Sequence, residues 1–176
     1  MRFTRCGSPM DERGVTLMET MIACLILLVG IAGVLTLFTA EVATTSSQGD
    51  YATRTAIYSQ DKMEQLLALS FDDSSSDTTT NPTASTGGTG LGGVMAGSTT
   101  VGGVNPASPV AGYVDYLDAG AQQTTATGAN YRRQWTITTN SAGNLKTITV
   151  LTTITTWAGK GRAPSAILVS AKSYNQ

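Results

Sequence analysis

The stretch RGVTLMETMIACLILLVGIAGVLTLF, residues 13–38, decides how the rest of the chain is read. Between Met21 and Leu35 it holds no charged, amide or hydroxyl side chain, and Val15 to Phe38 gives 24 residues. A helix needs about 20 apolar residues to cross a hydrocarbon core. A membrane-spanning helix is therefore predicted over 15–38. Glu19 interrupts the apolar run near its start. An ionised carboxylate at membrane depth costs on the order of 2.5–3.5 kcal/mol on insertion scales, so this one needs a compensating partner.

What precedes the run is as informative as the run itself. Residues 1–14 are short and polar, with Arg2, Arg5 and Arg13 against Asp11 and Glu12, and they end on Gly14. A secretory signal is cut after its apolar region and discards it. Here the small residue stands before the apolar region, which is then retained. Gly14, Val15, Thr16, Leu17, Met18 and Glu19 resemble the leader junction of type IV prepilins and pseudopilins, with Val15 where that family usually has phenylalanine. The resemblance implies a membrane aspartyl peptidase cutting between Gly14 and Val15 and N-methylation of Val15. It also implies that Glu19 faces the N-terminal amine of a neighbouring subunit. A buried acid is tolerable when paired, and a pair made only between subunits sets their register. The competing reading is a single-pass anchor whose Glu19 snorkels to cytoplasmic water.

Composition limits the remainder. The 176 residues carry a formal charge of −1. Beyond residue 14 there are eight basic against ten acidic side chains and no basic block, which argues against nucleic-acid binding. Three of the positive charges lie before the apolar run, the side expected to stay cytoplasmic, so the remainder is expected to be exported as one small domain. Cys6 precedes the apolar run, an order unlike that of a lipidated cysteine, and Cys24 lies inside it, so the exported part has no disulfide. Gly30 and Gly33 within the run suit close helix approach.

No proline occurs between Pro9 and Pro82, so the helix is expected to continue as an amphipathic segment through residues 39–71. Ala52, Ala56, Ser59, Met63, Leu66 and Leu67 fall on one stripe, with Arg54, Asp61, Glu64 and Gln65 elsewhere. From 15 to 69 such a helix would measure about 82 Å at about 1.5 Å per residue. Residues 72–111 change character: Ser, Thr, Gly and Asn dominate, eight glycines lie between Gly87 and Gly103, and a flexible loop is expected. GGTGLGGVMAG (87–97) has neither the strand before it nor the lysine and helix after it that phosphate binding requires.

Residues 112–176 read as an antiparallel sheet. A short strand at Tyr113–Leu117 ends in a turn at 118–120; strands at 131–139, 145–157 and 165–173 follow, the first two joined by a turn at 140–144. Alternation places Lys146, Ile148, Val150, Thr152 and Ile154 on the face expected to cover the helix. Asp115 and Asp118 are too few for a calcium site and read as turn residues. Arg132 and Arg133, beside Tyr131 and Trp135, read as a solvated strand edge. With no histidine anywhere and no base set beside the serines and threonines, no catalytic set, metal site or cofactor site is expected.

KMEQLLAL (62–69), GYVDYLD (112–118) and YRRQW (131–135) resemble segments of minor pilins of the pilus-modification class, and KMEQLLAL also those of the I-type pseudopilins of type II secretion. The fold this implies is α+β and pilin-like, a long N-terminal hydrophobic helix on a small antiparallel sheet. The implied function is that of a minor type IV pilin incorporated into a pilus or priming its assembly. Its partners would be other pilin subunits, the prepilin peptidase and an inner-membrane assembly platform. A type II secretion pseudopilin and a membrane-anchored adhesin that never polymerises are the alternatives.

Overall fold

A computed structural model describes residues 16–80, 83–93, 99–159 and 161–174, the side chains of 44 and 83–86 excepted. The chain divides into two compact units, Met1–Ala43 and Thr44–Gln176. One helix, α1 (Leu17–Ala68), runs through the division. Its continuity past the hydroxyl-rich 44–49 stretch agrees with the absence of proline.

In the first unit every described residue is exposed. Threonines do not break the helix there because each hydroxyl is satisfied locally: Thr20 Oγ1 donates to the Leu17 carbonyl (2.8 Å), Thr36 to that of Gly33 (2.7 Å) and Thr39 to that of Thr36 (2.9 Å). Internal satisfaction of this kind is what a segment without access to water requires.

In the second unit α1 covers an antiparallel sheet. The strands are β1 (Ser76–Asp77), β2 (Thr83–Thr86), β3 (Thr99–Gly102), β4 (Val114–Leu117), β5 (Tyr131–Thr139), β6 (Leu145–Ile154) and β7 (Ser165–Ser173). The first two form their own ribbon. In the main sheet β5 is flanked on one edge by both β3 (along Thr136–Thr139) and β4 (along Tyr131–Gln134), and on the other by β6, with β7 beyond. The β5–β6 hairpin closes through Asn140, whose Oδ1 accepts from the amides of Asn144 (3.0 Å) and Leu145 (3.1 Å), while Gly143 takes φ 72°.

The predicted face of β6 is the one that meets the helix. Lys146, Ile148, Val150, Thr152 and Ile154 are all buried; Ile148 and Val150 join Met63, Leu66, Tyr113, Trp135 and Ile137 in one apolar cluster, and Ile154 joins Leu117 and Tyr131 in a second. Full burial of a side chain such as Leu66 contributes about 1.5–3 kcal/mol.

Four expectations are corrected. Residues 72–111 are not a structureless loop where described: they supply β1, β2 and β3, and Leu91 lies in the core at 1 % exposure. Their glycines allow close backbone approach; a Cβ on Gly88 would sit 2.0 Å from the Ser76 carbonyl oxygen, and one on Gly102 2.4 Å from that of Trp135. The helix stripe is also rotated: Ala52 and Ala56 are exposed, and Thr55, Ser59, Lys62, Met63 and Leu66 are buried. Third, α1 ends at Ala68 and β6 at Ile154, short of residues 71 and 157. The fourth concerns Asp115 and Arg133, neither of which is a surface residue.

Candidate functional site: the helix start and the buried charges

Thr16 lies just outside α1 and caps it. Its Oγ1 accepts from the Glu19 amide (3.3 Å), and its carbonyl accepts from the amides of Glu19 (3.0 Å) and Thr20 (3.2 Å). Thr16-Leu17-Met18-Glu19 is thus the T-x-x-E spacing of a capping box, with an acid in the first turn where the helix dipole favours it. The T-x-x-E spacing marks the helix start in the sequence itself. From the same turn Glu19 shares a side of the helix with Ile22, Ala23 and Ile26, all exposed. No cation meets its carboxylate among the described residues. Gly14 and Val15 lie outside the described residues. A Cβ at Gly30 or Gly33 would meet nothing within 4 Å, so packing within the described chain requires neither glycine.

The second unit contains a charge cluster that bridges helix and sheet. Asp115 on β4 and Arg133 on β5 are direct cross-strand partners and face inward. The guanidinium grips the carboxylate with Nε on Oδ1 (2.8 Å) and Nη2 on Oδ2 (2.9 Å). Lys62 Nζ approaches the same Oδ2 at 2.7 Å, also donates to the Thr78 carbonyl, and lies 4.5 Å from the Trp135 ring centroid. Arg133 Nη1 reaches a second, half-exposed carboxylate, Asp61, at 2.8 Å. Burial pushes the Lys62 ammonium below the ordinary lysine range against the pull of Asp115. Burial also pulls on Arg133, but its hydrogen bonds to Asp115 and Asp61 outweigh it and hold the guanidinium above its ordinary value. Such a cluster fixes which helix face meets which strands.

Two more lysines close carbonyls left open by helix and loop. Lys146 Nζ donates to the carbonyls of Phe71 (2.6 Å), Leu91 (2.9 Å) and Gly93 (2.6 Å), tying the glycine-rich segment to β6. Lys172 Nζ on β7 donates to those of Leu67 (2.6 Å) and Leu69 (2.5 Å) at the end of α1. Asp118, by contrast, is the turn residue expected, its Oδ1 accepting from the amides of Gly120 (2.8 Å) and Gln122 (2.9 Å).

A long apolar N-terminal helix set on a small antiparallel sheet is a pilin-like α+β arrangement. Residues 9–35 match the prokaryotic N-terminal methylation motif. The matched segment contains Gly14, Val15 and Glu19 and leads into a helix long and apolar enough to cross a membrane. The match supports a membrane-anchored, single-pass protein of the type IV pilin or pseudopilin group, assembling with other pilin-type subunits. No curated protein and no solved structure matches the chain.

Proposed function

We propose that the chain is a minor type IV pilin of the pilus-modification class. Its precursor is cut between Gly14 and Val15 by the prepilin peptidase, Val15 is N-methylated, and the helix then packs against other subunits at an inner-membrane assembly platform. In the membrane the leader is cytoplasmic and the second unit exported; after assembly the protein is at the cell surface. Its role is structural rather than catalytic.

The observation that carries this reading is Glu19. A carboxylate on an otherwise apolar helix side, within the methylation motif, with no cation facing it among the described residues, is what an intersubunit pair to a methylated Val15 amine needs. Mass spectrometry of the protein from peptidase-competent cells is expected to show a chain beginning at Val15, and an intact Met1 refutes the processing. Glu19→Gln is expected to leave cleavage and membrane insertion intact and to deplete the subunit from sheared filaments. Equal incorporation of wild type and variant refutes the pairing.

A further inference from the structure

A cleft of about 560 Å³ opens in the second unit between α1 and the segment joining β4 to β5. It is lined by Ile57, Tyr58 and Asp61 of α1, Leu117 of β4, Gln122 and Gln123 of the joining segment, and Arg133 of β5. Its volume lies within the range of small-molecule sites, about 300–1,000 Å³. The walls are held in place by bonds that do not use their outward-facing groups. Asp61 Oδ2 is fixed by Arg133 Nη1 (2.8 Å) and Gln65 Nε2 (3.1 Å), which leaves Oδ1 without a partner among the described residues. Gln123 Nε2 is fixed on the Thr79 carbonyl (3.0 Å), which leaves its Oε1 to accept. The Gln122 amide side chain bonds to nothing in the described chain, although its backbone is pinned by Asp118. Next to them in the lining, Ala121 holds φ 65°, the one non-glycine with positive φ among the described residues. Such strain persists where the surrounding structure over-determines it, here through the four bonds of the Asp118 turn.

The chemistry of the free groups selects the ligand. An anion finds no available cation in the lining, because Arg133, its one basic residue, is already shared by Asp115 and Asp61, and Arg54 at the margin is paired with Asp50. A divalent metal needs six or more oxygens, and the cleft offers one free carboxylate oxygen with two amide oxygens. A purely apolar ligand would strand three polar groups. A lone ammonium would gain only the half-exposed Asp61, already paired, which is a weak contact. A neutral polyhydroxylated ring suits the whole set: its hydroxyls donate to Asp61 Oδ1 and to the glutamine Oε1 atoms, accept from Gln122 Nε2, and set their C–H face against Ile57 and Tyr58. We propose that this cleft binds a neutral saccharide of one or two pyranose rings. The proposal stands on the second unit alone, whether or not the chain enters a filament.

The test uses the full chain in phosphocholine micelles, which carry no glycoside. Glucose, galactose, mannose and N-acetylglucosamine are offered separately, and saturation-transfer NMR reports binding. At least one is expected to bind with a dissociation constant in the millimolar range or tighter. Gln122→Ala, a change at an exposed side chain, is expected to weaken it at least fivefold with an unchanged circular dichroism spectrum. Tri-lysine is expected to show no transfer. The proposal is overturned by no transfer from any of the four sugars, by equal transfer in wild type and Gln122→Ala, or by binding of tri-lysine alone.

Discussion

Replacing Asp115 with alanine removes the carboxylate that serves two buried cations at once. Three charge-assisted bonds disappear, from Lys62 at 2.7 Å and from Arg133 at 2.8 and 2.9 Å, while the Lys62 and Arg133 side chains remain 0 % and 2 % exposed. Breaking a buried pair from one side costs about 3–5 kcal/mol, because the remaining charge stays desolvated. Set against a total stability of about 5–15 kcal/mol, that is roughly a fifth or more of what holds a typical domain together. The melting temperature should fall on the order of 10 °C. Urea unfolding of the full chain in micelles measures the free-energy loss, with the fluorescence of Trp135, 4.5 Å from Lys62 Nζ, reporting the region concerned once Trp157 is replaced by Phe. The combination Lys62→Met, Asp115→Leu and Arg133→Met should recover most of the loss, since a well-packed apolar replacement of a whole buried network is often neutral. A loss below about 1 kcal/mol for Asp115→Ala refutes the argument, because it requires Lys62 to reach water and Arg133 to be satisfied by Asp61 alone.

Leu91→Ala should cost about 2–5 kcal/mol in the same assay, as a truncation in the core does; a cost within about 0.5 kcal/mol is that of a surface position and would return residues 72–111 to the loop read from composition. The Lys62 ammonium, lowered by burial, gives a signed pH dependence: between its folded value and the unfolded value of about 10.4 the unfolded chain binds more protons, so its contribution makes stability rise with pH in that window. Urea midpoints compared between pH 7 and pH 10 should therefore rise more in wild type than in Lys62→Met. Identical pH slopes would show that Lys62 keeps its ordinary affinity for protons.

The sequence announces elements whose pattern is periodic and hides contacts that depend on which distant segments meet. The apolar run, the uninterrupted helix and the strands at 131–139 and 165–173 were legible because composition and alternation act locally, and the inward face of β6 followed from period two alone. Leu91 was missed because a single large apolar residue among glycines leaves no periodic trace, and the glycines that looked like flexibility serve close backbone contact. Arg133 was misread because charge was taken as a sign of exposure. Arg133 sits directly across from Asp115, and the alternation in GYVDYL already put Asp115 on the side of Tyr113 and Leu117. A charged residue in phase with the core is the signal that was available. Ala52 and Ala56 erred in the other direction: small apolar side chains lie on either side of a helix at little cost, so they do not fix its rotation.

The lysine that closes the end of α1 has a consequence for biosynthesis. Lys172 is 105 and 103 residues downstream of the carbonyls it binds, and Lys146 is 75 residues downstream of Phe71. The helix is therefore among the first parts of the chain to be synthesised and among the last to be finished. While a nascent chain emerges, the terminal turn of its helix stays exposed until β7 arrives and its ammonium docks. A translation product that stops before β7 carries an unsealed helix end and a sheet lacking its outer strand, and is open to proteolysis where the finished protein is shut.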